Sequence, residues 1–388
     1  MTTYDVIIIG AGSVGVPTAY FASKAGLKVL VIDKNASVGQ GENKHAIGGV
    51  RATHTSKAKI LCCQRSIDVF SNWEKEHGEP IDWQTGGYCF VVYTEEHEKM
   101  LKDAIIVQKS YGLDIDWVGP EKVQELAPGI NPKGLRGGTW SPGDGNLNPM
   151  KAIIALYFQS LQQGAEFRFK EEVTGFEVEE AGDQKKIVAV KTNTGNAYKT
   201  KWVVNASGPY ARELGKLLDL DLPVEPDSHE AGVTEPVKPF FTPMLVDLRE
   251  DLGSKNYYFY QDAHGSLVFC ITPEPLIKGK DKQETSVFLP QVSKRMVDLI
   301  PRLKNLKVRR TWRGLYPMTP DGSPIVGLTK EYTNLVNEVG MCGQGLMLGP
   351  GVGELVTKIL TGTLSPTDEE MLDELSLYRE FSAAEKLK

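Results

Sequence analysis

Asp5-Val6-Ile7-Ile8-Ile9-Gly10-Ala11-Gly12-Ser13-Val14-Gly15 is the stretch on which the fold turns. Its first five residues form a continuous, largely apolar and β-branched run, the pattern of a strand covered on both faces as in a parallel sheet. The run leads straight into a Gly-x-Gly-x-x-Gly turn. A helical pattern follows through about Ala25, and Gly26 is a natural stop. Lys28-Val29-Leu30-Val31-Ile32 reads as the second strand, ending on Asp33. Strand, glycine turn, helix, strand and acid in that order define a dinucleotide-binding unit. Gly10 permits the tight turn, Gly12 lets the backbone approach a pyrophosphate, and Gly15 lets helix and strand pack closely. Ser13 and Val14 complete the turn. The helix N-terminus offers free N–H groups and a positive dipole end to the phosphates. Asp33 can accept hydrogen bonds from ribose hydroxyls, and Lys34 follows it. The unit leaves open which dinucleotide is bound. The polar loop Gly39-Gln40-Gly41-Glu42-Asn43-Lys44-His45 reads equally as a surface loop or as a bed for a second stretch of a long cofactor.

Outward from this unit, 388 residues with 41% hydrophobic content suffice for a large core and point to two domains. The net charge of -6 is spread along the chain, which excludes the clustered lysines and arginines of a nucleic-acid footprint. Five cysteines, with no Cys-x-x-Cys, argue against a disulfide framework and a zinc site, and no metal is expected. Met1-Thr2-Thr3-Tyr4-Asp5 lacks a basic export-signal region, so a cytoplasmic location is the expectation. No run approaches the roughly 18 apolar residues of a membrane span.

Helical spacing marks Lys57–Glu76 and Glu95–Tyr111, and the pair Cys62-Cys63 reads as packing. Asn148 caps a helix with Pro149 at its first position, running to about Gln163. Gly87–Tyr93, Glu166–Phe169, Val173–Glu180, Ile187–Thr192, Val203–Asn205 and Leu335–Val339 read as strands, and Gly351–Thr361 as a helix. Between about Asp221 and Lys307 prolines are frequent, strands recur (Tyr257–Tyr260, Leu267–Ile271) and a helix spans Ser293–Ile300. That texture suggests an α+β domain.

With these marks in place, the chain resembles the D-amino-acid oxidase (DAO) superfamily of flavoproteins over nearly its whole length. In texture it is similar to glycine oxidase, sarcosine oxidase and dehydrogenase, and the β subunit of dye-linked proline dehydrogenase. The resemblance rests on Gly10–Gly15 with Asp33, on Val203–Gly208, on Trp312-Arg313-Gly314-Leu315-Tyr316-Pro317-Met318-Thr319-Pro320-Asp321-Gly322, and on Gly340-Met341-Cys342-Gly343-Gln344-Gly345-Leu346-Met347. It implies an α/β fold with a Rossmann-type FAD-binding domain assembled from discontinuous segments (1–85, 145–220 and 310–388). An inserted α+β substrate domain built on a mixed sheet takes 86–144 and 221–309. The implied cofactor-binding set is Gly10, Gly12, Ser13, Val14, Gly15, Asp33, Lys34, Gly41, Glu42, His45, Val173, Ala206, Ser207, Gly208, Gly314, Gly343, Gln344, Gly345, Leu346 and Met347.

The resemblance also implies catalytic candidates. Arg51 matches an arginine that clamps the substrate carboxylate, a task suited to its planar fork. Tyr258 matches a substrate-facing tyrosine, and alternation puts Tyr258 and Tyr260 on one face of their strand. His45 sits where dimethylglycine and sarcosine dehydrogenases carry a histidine bonded to the flavin, while other members have a nearby histidine without the bond. Cys342 does not fit the covalent cysteine of monomeric sarcosine oxidase and reads as packing. Glycine oxidase places an arginine near the C-terminal glycine motif, and Met341-Cys342-Gly343-Gln344 has none. Leu267-Val268-Phe269-Cys270 lacks the lysine that activates oxygen in monomeric sarcosine oxidase, which favours a dehydrogenase. The expectation is FAD-dependent oxidation of a small secondary or N-alkyl amino acid (sarcosine-, proline- or opine-like) by hydride transfer to flavin N5, giving an imine. Electrons would then pass to a partner subunit or carrier, in a homo- or hetero-oligomer. A 2-hydroxyacid or glycerol-3-phosphate dehydrogenase, with His45 or His54 as base, stays open, as does a flavin-bearing electron-transfer subunit.

Overall fold

The computed structural model describes residues 3–251 and 253–381. Met1 and Thr2, read with the N-terminal stretch, and positions 382–388, read with the third FAD-binding segment, lie outside them. The fold is mixed α/β, built around two large sheets.

In the first sheet the strands Ile325–Leu328, Leu335–Val339, Ala197–Asn205, Thr3–Ile9, Val29–Asp33 and Glu166–Phe169 lie side by side in that order. From Leu335–Val339 to Glu166–Phe169 every pairing is parallel. The central strands are apolar throughout because helices cover one face and a second core the other; Val6, Ile7 and Ile8 are fully buried. A hairpin, Val173–Ala181 with Gln184–Thr192, extends the sheet at Ala197–Asn205. The last three residues of Ala197–Asn205 were legible as a strand; the rest alternates with polar residues.

The helix expected at Gly351–Thr361 begins at Gly345. Gly349, ahead of the expected start, therefore lies inside it together with Gly351 and Gly353. A Cβ would stand 1.9 Å from the Ser13 carbonyl oxygen at Gly349, 2.0 Å from that of Cys62 at Gly351, and 2.7 Å from the Thr18 nitrogen at Gly353. These glycines let the helix lie directly on the backbones of Gly15–Lys24 and Lys57–His77, and that contact outweighs their poor helix propensity. Likewise Ser293–Ile300 is the end of a helix running Phe288–Leu299, with Pro290 tolerated in its first turn. Cys62 and Cys63 are buried in Lys57–His77, and burial pushes the Cys62 thiol up to about 12, in keeping with packing.

The second sheet orders Ile277–Lys278, Glu225–Pro236, Ser266–Pro273, Ser254–Gln261, Met244–Asp247, Tyr88–Val92, Gly137–Ser141 and Asp116–Val118. It is mixed: Met244–Asp247 and Tyr88–Val92 run parallel, their neighbours antiparallel. The strand Val308–Met318 pairs with Glu225–Pro236 along nearly its whole length and so crosses position 310, where the sequence suggested a boundary. Tyr257 and Phe259 pack into one core and Tyr258 and Tyr260 into the other.

Glu338, in the strand Leu335–Val339, is buried, with Oε1 unpartnered and Oε2 accepting from the Thr18 hydroxyl at 2.6 Å. Burial pushes its carboxyl from 4.5 up to about 8. The folded state therefore holds a proton that the unfolded chain has released, so the stability this group contributes is full below pH 4.5 and lost as pH rises through about 8. Glu338→Gln should raise the Tm at pH 9, with the gain shrinking towards pH 5. Thermal unfolding at the two pH values checks this, and an equal change at both would contradict it.

Candidate functional site

A cavity of about 740 Å³ lies where the parallel strands of the first sheet end and the second sheet faces them. That size and its largely apolar lining suit a small-molecule or cofactor site. Of the cofactor-binding set and the candidates Arg51, Tyr258 and His45, only Gly15 lies behind the wall. Gly10, Gly12, Ser13, Val14, Asp33, Lys34, Gly41, Glu42, His45, Arg51, Val173, Ala206, Ser207, Gly208, Tyr258, Gly314, Gly343, Gln344, Gly345, Leu346 and Met347 all line it.

At one end sits the glycine turn. Gly10 takes a φ of 117°, and a Cβ there would stand 2.4 Å from the Ala206 carbonyl oxygen, so the two strand ends close on each other. A Cβ at Gly15 would stand 2.1 Å from the Gly10 oxygen. At Gly12 a Cβ would meet nothing within 4 Å; this is the open side of the turn. Asp33 Oδ2 accepts from the Ala11 amide at 2.7 Å, and Oδ1 accepts from the Asn35 amide at 2.7 Å. Oδ1 also accepts from the Asn35 side-chain Nδ2 at 2.9 Å, and Oδ2 keeps lone-pair capacity for a further donor. Two helix N-termini, at Gly15 and Gly345, meet at this cavity. The Gln344 side chain, 4% exposed, has neither Oε1 nor Nε2 partnered by protein. A buried carboxamide left wholly unpaired is costly unless a bound group satisfies it. An open glycine, two dipole ends, an acceptor carboxylate and an unpaired carboxamide together fit a dinucleotide.

At the other end Arg51 is buried and leans on the Phe90 ring, 5.5 Å from its centroid. It donates to the Thr53 carbonyl and lies 3.4 Å from His54 Nδ1. Asp144 stands close enough to feel its charge. Burial pushes the Asp144 carboxyl up to about 6, against hydrogen bonds from Ser141 and the Ala52 amide and the charge of Arg51. Burial drives His54 well below the usual imidazole range. That side chain does not line the cavity. Tyr258 shares a 2.9 Å hydroxyl pair with Tyr316. Desolvation raises both phenols, so both are neutral donors at any working pH. His45 holds Glu42 Oε2 through Nδ1 at 3.1 Å, and the Leu315 amide donates to the same oxygen at 2.9 Å. Lys282 pairs with the other oxygen. Burial pulls Glu42 up, but these hydrogen bonds outweigh it and hold the carboxyl below its usual value.

Sequence reasoning missed several lining residues. Tyr316 lay inside a quoted motif but was given no role. His229 stacks on it with ring centroids 3.7 Å apart and binds Asp227 at 3.1 Å. The i, i+2 spacing of Asp227 and His229 on one strand was the available signal. Cys270, opposite Tyr258 in the sheet, and Asn256 and Thr272 also line the cavity. Cys342, read as packing, also lines it. Cys342 takes a φ of 50°, its thiol donating to the Gly340 carbonyl at 3.1 Å and standing 3.3 Å from Thr319 Oγ1. The residues described contain no cluster able to hold a metal ion and no helix long and apolar enough to cross a membrane.

Residues 5–359 match the family model of FAD dependent oxidoreductases, and the chain belongs to that family. Its cofactor is accordingly FAD. It is 26% identical to human mitochondrial dimethylglycine dehydrogenase over 389 residues, which is 95% of this chain but 44% of that protein. The chain thus spans less than half the length of the dimethylglycine dehydrogenases it matches. Among solved structures it superposes on L-proline dehydrogenase from P. horikoshii with a TM-score of 0.89 at 30% identity, covering 97% of both chains. Glycine oxidase from Geobacillus kaustophilus shares the fold at 23% identity and a TM-score of 0.84, over 98% of this chain and all of that one.

Proposed function

We propose that this chain oxidises the C–N bond of a small secondary or N-alkyl amino acid, in the class of sarcosine, dimethylglycine or proline. The observation that carries the reading is the buried Arg51 standing in one cavity with the Tyr258–Tyr316 hydroxyl pair and the dinucleotide turn. A cationic fork and a neutral hydroxyl donor, walled by Phe90 and other apolar groups, are built for a carboxylate on an otherwise apolar molecule. The relatives whose names carry N-methyl or cyclic amino acids point the same way.

When bound, FAD supplies a two-electron acceptor. The protein supplies binding, orientation and exclusion of water. Gly10–Val14 with Asp33 and Lys34 would hold the nucleotide end, with Val173 and Ala206–Gly208 beside it. Gly41, Glu42, His45, Gly314 and Gly343–Met347 would line the flavin end. The N-terminus of Gly345–Thr361 brings a positive dipole end to negative charge that develops there. Arg51 and Tyr258 would fix the carboxylate so that the amine-bearing carbon faces the cofactor. We assign the first sheet and its helices to cofactor binding and the second to substrate, largely as the division into 1–85, 145–220, 310–388 against 86–144, 221–309 has it. The strand Leu267–Cys270 offers no lysine to the cavity, which favours transfer of electrons to a partner subunit or carrier over direct reaction with oxygen. Anaerobic addition of candidate substrates to the yellow protein tests the class: N-substituted amino acids should bleach it and 2-hydroxyacids should not.

A further inference from the structure

Asp227, His229 and Ala231 alternate along Glu225–Pro236, and the histidine and alanine line the cavity. His229 is 6% exposed. Its Nε2 stands 3.1 Å from Asp227 Oδ1, and its Nδ1 has no partner. Asp227 is itself 3% exposed. A carboxylate accepting from Nε2 fixes the neutral tautomer with the proton on that nitrogen, which leaves the Nδ1 lone pair as an acceptor. An acceptor left open in a closed site is accounted for by a donor that arrives with a bound molecule. Tyr316 lies flat against the ring, 14° from parallel, and its π face favours a cationic partner.

We propose that His229 takes the proton from the substrate ammonium, with Asp227 and Tyr316 as positioning residues. This rests on the amino-acid reading above. An amine must be neutral before it can release hydride from the adjacent carbon, yet an alkyl ammonium in water keeps its proton up to roughly pH 10. In the step, the ammonium N–H bond breaks and an Nδ1–H bond forms, with no electrons exchanged. The imidazolium is then held by Asp227 on one side and by the Tyr316 ring on its face, and the proton leaves to solvent once the product has gone. The other titratable groups around the ring are Tyr258 and Cys270 from the next two strands, both neutral with their protons held by desolvation. Glu42 and His45 lie against Gly314, the strand partner of His229, and Lys280 lines the same cavity. Glu42 is engaged by Lys282 and Lys280 by Glu213, so neither competes for the substrate proton.

The test is the pH profile of anaerobic flavin bleaching by an N-alkyl amino acid. His229→Gln keeps an N–H for Asp227 and removes the base. It should slow bleaching at pH 7 about 100-fold, the low end of what general bases contribute. Its rising limb should move up towards pH 10, so that variant and wild type converge in alkali. Asp227→Asn should shift the limb in the same direction by less. Affinity for a carboxylate analogue lacking nitrogen, read from the flavin spectrum, should be unchanged in both variants. Bleaching that falls equally at every pH, or that does not fall, would overturn the assignment of His229 while leaving the substrate class intact. A wild-type protein that no N-alkyl amino acid bleaches would overturn the substrate class, and this inference with it.

Discussion

Arg51→Lys should weaken the apparent affinity for an N-alkyl amino acid about 30- to 100-fold while leaving FAD content unchanged. Lysine keeps the charge but loses the planar fork that reaches both carboxylate oxygens at once. A hydrogen bond to a charged group contributes about 1.5–3 kcal/mol, and one such bond lost inside an apolar wall accounts for the range. Arg51 also supports its own loop, through the Thr53 carbonyl. Thermal unfolding and the flavin spectrum therefore serve as controls, and both should stay near wild type. Anaerobic titration measures the affinity. Unchanged affinity would remove Arg51 from substrate binding and leave it a packing role against Phe90 and Asp144.

Gly12→Val and Gly15→Val should separate cofactor binding from folding, although the two glycines stand only three residues apart. A Cβ at Gly12 meets no protein atom within 4 Å, so the apoprotein should unfold at nearly the wild-type temperature. The branched side chain would occupy the open side of the turn, where the pyrophosphate must approach the backbone, and the purified protein should be colourless. At Gly15 a Cβ stands 2.1 Å from the Gly10 oxygen and 3.0 Å from Ala206 Cβ. Overpacking of this kind costs about 1–3 kcal/mol or more. This variant should lose both FAD and thermal stability. FAD retained at wild-type occupancy in Gly12→Val would place the cofactor elsewhere.

The first sheet was legible because its central strands are apolar on both faces and end in glycine-rich turns, a pattern written in consecutive residues. Val203–Gly208 and Gly340–Met347 are far apart in sequence, yet each sits at the end of a strand of that sheet, so their motifs converge on the cavity. The first turns of the helix beginning at Gly345 were less legible, since Gly345 and Gly349 signal a turn locally, whereas Gly349 serves close packing. Asp227 and His229 escaped notice for a related reason. Two polar residues spaced i, i+2 in Glu225–Pro236 look like the solvent face of a strand, and only pairing with Val308–Met318 brings Tyr316 beside His229 and encloses it. Tyr258 was recognisable by resemblance, but its partner Tyr316 comes from a strand 58 residues away.

On the proposed reading one cavity holds both FAD and an amino acid bearing an N-substituent. The visible spectrum of the purified protein, followed without oxygen as sarcosine, dimethylglycine, proline, glycine, an opine, 2-hydroxyglutarate and glycerol 3-phosphate are added singly, tests it most directly. A yellow protein bleached by at least one of the N-substituted amino acids, and by neither hydroxylated compound, is the predicted result. Bleaching by 2-hydroxyglutarate or glycerol 3-phosphate, or by none of the panel, would contradict it.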